Sequence, residues 1–306
     1  MATTRGSMTL AGGFGQHSNA GIAGHAQYFD FTRMEPDVVS NTGSRTWLVR
    51  AKNIVLVLTE LKAGDHLTRT GDVDEYMLVL TGTHTLGVRA GDRTVAVTGR
   101  SIVMIPPGDS EITANCDGRI IRLFPLSAAD LTGCCRNSDY YVGGAPHVAK
   151  SEPWPAPEDA AKLRVYTGLD DIPASPSRMG RIYRNRHAMV NFLYPRLGPR
   201  DPSALSPHHH DDFEQLSYAD SGEYVHHIRA PWTKDRRDWR PDEHVHIGSP
   251  SLVIIPPPAI HTSEATGSGT NQLLDIFAGP RSDFSAKDGW VLNADDYPTA
   301  EPEDSR

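Results

Sequence analysis

From Thr46 onward the chain alternates short apolar runs with turns. Apolar residues gather at 46–49, 54–60, 75–80, 85–90, 94–97, 102–105 and 119–124, and again at 163–166, 177–185, 188–196, 213–219, 224–229, 252–255 and 271–277. Between the early runs stand Ala63-Gly64-Asp65, Thr81-Gly82-Thr83, Ala90-Gly91-Asp92, Thr98-Gly99-Arg100 and Pro107-Gly108-Asp109, each with a glycine where a tight turn needs positive φ. Regularly spaced short strands with turn signals predict an all-β protein built from sandwiches or barrels, with little helix.

The two series are copies of one another. Ser101-Ile102-Val103-Met104-Ile105-Pro106-Pro107 reads almost letter for letter as Ser251-Leu252-Val253-Ile254-Ile255-Pro256-Pro257, and Glu75 aligns with Glu214. A proline-dense stretch, Lys150-Ser151-Glu152-Pro153-Trp154-Pro155-Ala156-Pro157-Glu158, is extended by its ring constraints and separates the halves. The expected division is an irregular arm over 1–45 with one strand at 26–31, a first domain over 46–149, a linker over 150–160, a second domain over 161–298 and a flexible tail over 299–306. The second copy is longer between its motifs by a charged, proline-bounded insertion at 231–243, expected as a surface loop or lid.

The chemistry gathers in the second copy. His208-His209-His210-Asp211-Asp212-Phe213-Glu214 is answered downstream by Pro256-Pro257-Pro258-Ala259-Ile260-His261. If the first segment is a β-strand, His208, His210 and Glu214 share one face while His209 takes the other, and His261 arrives from a neighbouring strand. Three imidazoles and a carboxylate so placed indicate a mononuclear metal centre. The matching positions of the first copy hold Arg69, Gly71 and Glu111, with Glu75 retained, which predicts one metal per chain and a salt-bridged cluster in place of a second site.

This arrangement resembles the cupin superfamily, whose first motif runs His-x-His, three or four residues, then Glu, and whose second runs Pro-x-Gly-x-x-His. Here Pro258 replaces the glycine of the second motif, Pro202 stands where a glycine precedes the first, and Gly222 lies one residue later after Glu214 than the family pattern asks. The resemblance implies a bicupin: two tandem jelly-roll β-barrels, with His208, His210, Glu214 and His261 holding a divalent transition metal in the second. Iron(II) is favoured, with manganese, nickel, cobalt, copper and zinc also suited to such ligands. The resemblance further implies a metal-dependent enzyme. A dioxygenase acting on a catecholate, enolate or hydroxy-acid is favoured, because Phe213, Leu216, Tyr218, Val225, Ile254, Leu273 and Phe277 are available to line a shielded chamber. An isomerase, epimerase or lyase is the alternative and needs a general base, for which His226, His227 and His244 are candidates. A non-enzymatic small-molecule-binding cupin is the third reading. Arg186, in an arginine-rich strand, is the candidate for anchoring a substrate carboxylate.

Composition narrows the partners. A net charge of −8 over 306 residues, with no basic stripe, argues against nucleic acid and anionic membrane. A mean hydropathy of −0.42 and no run near the about 20 apolar residues of a membrane span predict a soluble protein. The amino terminus lacks the apolar core of a secretory signal, so a cytoplasmic location is expected. Cys116, Cys134 and Cys135 make no disulfide framework. A homodimer is expected, as in many cupins, with the arm contributing to its interface.

Overall fold

The computed structural model describes residues 23–299; the expectations for the rest of the arm and for the tail beyond Thr299 lie outside the described residues. The strands form two barrels, each a large sheet facing a small one. In the first, the large sheet runs Arg164–Tyr166, Ser101–Ile105, Tyr76–Leu80, Gly118–Pro125, Ile54–Leu61, Arg45–Arg50, Val38–Val39, and the small one His66–Asp72, Gly108–Ala114, Thr85–Ala90, Arg93–Thr98. In the second, the large sheet runs Gln27–Asp30, Ser251–Ile255, Gln215–Ser221, Thr270–Phe277, Met189–Leu193, Gly180–Arg184, and the small one Glu243–Ile247, Tyr224–Arg229, Ile260–Ala265. Among the described residues no helix is long and apolar enough to cross a membrane.

The strand pairings depart from the expected division on both sides of the linker. The run at 163–166 belongs to the first barrel, where Val165 pairs with Val103. In exchange, the arm strand Gln27–Asp30 joins the second barrel, with Tyr28 opposite Val253. Each large sheet thus has an edge covered by a strand from the other side of the linker, which satisfies backbone groups that an open edge would leave unpaired.

The unbroken apolar runs have a physical cause. Ile54, Leu56, Leu58, Met77 and Val79 of the first barrel share one buried cluster with Leu216, Tyr218, Leu252 and Ile254 of the second, so the large sheets pack face to face. Val55, Val57, Leu78, Val103 and Ile105 alternate with them and point into the first barrel. A strand buried on both faces has no polar positions to offer, so its sequence shows no alternation. The small sheets keep a solvent face. Their strands His66–Asp72, Gly108–Ala114, Glu243–Ile247 and Ile260–Ala265 mix polar with apolar residues, and the apolar-run criterion passes over them.

The two interiors differ. The first is filled: Tyr76 stacks on Phe124 at 4.4 Å, and the guanidinium groups of Arg69 and Arg122 lie 5.2 and 5.7 Å from that ring. Arg69 is also ion-paired, but to Asp72 and Asp130 rather than to Glu75 and Glu111, the carboxylates expected to join it. In the second barrel the apolar side chains form small separate clusters, and a cavity of about 680 Å³ remains.

Candidate metal centre

Strand register matches the two barrels position by position. Tyr76 pairs with Ile105 as Gln215 pairs with Ile255, and Leu78 pairs with Arg122 as Ser217 pairs with Asp275. Gln215, Ser217 and Asp275 therefore occupy interior places that Tyr76, Leu78 and Arg122 fill in the first barrel. His208 and His261 face each other across a β-bridge, as Arg69 and Ser110 do in the first barrel. Glu111, expected at that place, instead lies on the outer face, bonded to His66 and Arg89.

The ligand atoms of His208, His210 and His261 lie within 4.8 Å of one another. The Nδ1 atoms of His208 and His261 sit 3.0 Å from the Ser206 carbonyl and 2.9 Å from the Ala259 carbonyl. A carbonyl can only accept, so each Nδ1 carries the proton and each Nε2 presents a lone pair. Gln215 Oε1 lies 2.8 Å from His210 Nε2 and 3.3 Å from His261 Nε2. The Gln215 amide is oriented from behind, its Nε2 donating to Ser217 Oγ at 3.0 Å and Asp275 Oδ1 at 2.9 Å. Burial pushes the imidazoles down, His210 to about 4 and His261 to about 3, so both are neutral near pH 7 and free to ligate.

Glu214 is not brought to this cluster. Between His210 and Gln215 the chain bends, and the strand begins only at Gln215, so parity cannot be carried from His208 to Glu214. Its carboxylate turns toward the first barrel, accepting from the Lys52 N–H at 2.7 Å and the Tyr141 hydroxyl at 2.9 Å. The parity error has a second consequence. Leu216, Tyr218 and Ile254 face the barrel junction, whereas Leu273 and Phe277 do line the cavity and Phe213 stacks on His210 at 4.4 Å.

No family model matches the chain, and no curated protein matches it. Solved structures do. The oxalate decarboxylase of Lactobacillus farciminis, in its formate complex, superposes at a TM-score of 0.55 with 12% identity, covering 87% of this chain and 88% of that one. AerE from Microcystis aeruginosa superposes at 0.52 with 9% identity, covering 79% of this chain and 96% of that one. The chain is a bicupin in fold.

A divalent transition metal fits this bicupin's donor set: three imidazole nitrogens within 4.8 Å of one another with an amide oxygen beside two of them, and no carboxylate among them to favour a hard ion such as calcium. Gln215 is the residue that motif reading passed over, although the sequence held a signal. Counting four residues after His210 gives Gln215, and six residues then separate it from Gly222, which removes the one-residue excess seen with Glu214. Asp275, Arg200 and Arg281, which also line the cavity, carry no comparable signal because they fall in no motif.

The remaining candidates are dispersed. Arg186 is outside the bicupin's cavity, donating to the Trp154 carbonyl and paired to Asp74. His226 points inward and is fully buried, its Nδ1 2.9 Å from Ser263 Oγ. His227 and His244 contact each other on the outer face. His209 is exposed and 3.3 Å from Asp211. The 231–243 insertion does not line the cavity; it stacks Trp232 on Trp239 at 4.4 Å, and Arg240 donates to the Ala23 and Gly24 carbonyls.

Proposed function

We propose that this protein is a metal-dependent dioxygenase with one working centre per chain. His208, His210, His261 and the Gln215 amide oxygen hold the metal, iron(II) in the working enzyme, and the substrate is a small chelating anion of the catecholate, enolate or hydroxy-acid type. The observation that carries this reading is the uncharged donor set on the wall of the cavity. Three imidazoles and an amide bring no negative charge, so a divalent ion there is neutralised by the anionic oxygens of a substrate. When bound, the metal supplies Lewis acidity and adjacent open positions.

The chain's own residues do the rest. Arg200 lines the cavity and makes no ion pair among the described residues; it donates to the Ser263 and Ala204 carbonyls and to Ser206 Oγ. Burial and the neighbouring Arg196 pull its pKa down, so its charge is poorly compensated until an anion arrives. Arg281 lies 4.1 Å over the Phe284 ring beside Phe277, on an apolar wall that excludes water. An isomerase needs a general base in the cavity. Among the described lining residues, Asp275 is buried behind Gln215, and the imidazole outside the candidate ligands is the exposed His209. Oxygen chemistry makes no such demand. The same reading takes the protein to be a homodimer, which sedimentation of the full chain tests.

The test is anaerobic reconstitution with iron(II), then addition of a catechol, a β-diketone or a hydroxy-acid. The expected result is a charge-transfer band that decays with O₂ uptake when air enters. Turnover without O₂ consumption would move the protein to the isomerases and lyases. A full metal complement with no turnover of any kind would make it a binding protein.

A further inference from the structure

A second group of imidazoles lies on the solvent face of the small sheet in the second barrel. Register places His227 directly opposite His244, and places Val225 between His246 and Glu264. Positions two apart share a face, so His227, His244, His246 and Glu264 are neighbours on it, while His226 points inward. The Nδ1 atoms of His227 and His244 are 2.7 Å apart. On the far side of the His227 ring, Nε2 is 2.9 Å from Glu264 Oε2.

The carboxylate of Glu264 fixes the tautomer. An ionised carboxylate only accepts, so His227 keeps its proton on Nε2 and aims the Nδ1 lone pair at His244. The 2.7 Å contact is a hydrogen bond in which the His244 Nδ1–H donates to that lone pair, and a cation that replaced the shared proton would meet both nitrogens. Neighbouring nitrogens on a single ion, each about 2.1 Å from it, stand about 3 Å apart at a right angle, close to the separation present here. A carboxylate behind a ligating imidazole is the usual orienting partner in metal sites. Thr262, the other neighbour of His227 across the sheet, adds no charge that would oppose a cation.

We propose that His227 and His244, oriented by Glu264, form a second, exchangeable transition-metal site on the outside of this barrel. Its chemistry suits a borderline divalent ion such as zinc or copper(II), with water completing the shell. His246, two residues from His244 on the same exposed face, is the third imidazole within the group. The site shares no residue with the barrel centre and does not rest on the oxygenase reading.

Calorimetric titration of the chelator-stripped full chain with zinc tests it. The His208→Ala variant, with its barrel centre disabled, is expected to retain about one zinc site per chain, and His208→Ala/His244→Ala is expected to lose it. Glu264→Gln in the His208→Ala background should weaken binding about tenfold or more while the circular dichroism spectrum stays unchanged. His244 is exposed on an edge strand, so its loss does not threaten folding. Identical zinc isotherms for the single and double variants overturn the proposal. A wild-type chain that shows this weaker site without a tight one supports it and overturns the barrel centre alone.

Discussion

Glu75 and Glu214 are held in the same way by opposite barrels. Glu214, at the mouth of the second barrel, accepts from the Lys52 backbone and the Tyr141 hydroxyl; Glu75, in the first, accepts from the Arg186 backbone at 3.1 Å and the Tyr297 hydroxyl at 2.8 Å. Both are buried, and burial pushes both carboxyls up while these donors oppose the shift. The pair explains why a glutamate persists in the half that lacks the metal-site imidazoles. It joins the barrels.

Removing the Glu214 carboxylate should therefore cost stability and spare the metal. Glu214→Ala leaves the Lys52 N–H and the Tyr141 hydroxyl without their partner in a buried junction, at about 1–3 kcal/mol for each group. Denaturant unfolding should show that loss while elemental analysis shows an unchanged metal content. Gln215→Ala, by contrast, should lower metal affinity. Loss of metal from Glu214→Ala as complete as from His261→Ala would return Glu214 to the ligand set.

The histidine tract carries its own control. His208→Ala and His261→Ala are each expected to empty the barrel centre, so that after reconstitution with iron(II) and removal of exchangeable metal the iron content falls from about one per chain to near zero with the barrels still folded, since the core is apolar and independent of the ion. His209→Ala should leave occupancy unchanged, because that ring is exposed beside Asp211. Equal losses from all three would mean that the tract binds metal as a loose cluster.

The fold was legible because its strongest signals come from strands buried on both faces, such as Ser101–Ile105 and Ser251–Ile255. Four of the seven small-sheet strands, among them Glu243–Ile247 and Ile260–Ala265, were hidden by their solvent face. Which barrel claims Arg164–Tyr166 depends on a long-range pairing with Ser101–Ile105 that no local pattern encodes. At the site, His208, His210 and His261 were legible as residue types in order. Glu214 was misread because period-two parity was carried through Asp211 and Asp212, where the chain bends. The spacing to Gly222 was the better guide, since that glycine, at a φ of 93°, fixes the turn that ends the strand carrying Gln215.

Acid should destabilise the metal-free protein through its buried imidazoles. Burial lowers His210 and His226 to about 4 and His261 to about 3, against about 6.5 in an unfolded chain. The unfolded chain then takes up protons first as pH falls. The stabilising contribution is complete above about pH 6.5, is lost progressively toward about pH 4, and levels off only when the folded imidazoles protonate as well. Glu75 and Glu214, raised by burial, act with the opposite sign, so the readout is the difference between wild type and His226→Gln in denaturant unfolding at about pH 7 and about pH 5. A smaller acid-induced loss in His226→Gln is expected; identical losses would sink the assignment.

Arg200 should set the preference for anionic ligands. Its guanidinium reaches only neutral acceptors, and one of them, Ser206, also supplies the carbonyl that fixes the His208 ring. An anion in the cavity would gain a charge-assisted contact of about 1.5–3 kcal/mol, or about 10- to 100-fold in affinity. Arg200→Met should therefore weaken binding of a chelating anion such as a hydroxy-acid by that factor, whereas Arg200→Lys, which keeps the charge, should recover part of it. Because the arginine also braces 204–206, metal content must be measured alongside. Weaker binding with full metal occupancy assigns Arg200 to the ligand. Weaker binding that tracks loss of metal would show instead that Arg200 acts by positioning His208, and unchanged binding in both variants would remove it from the site.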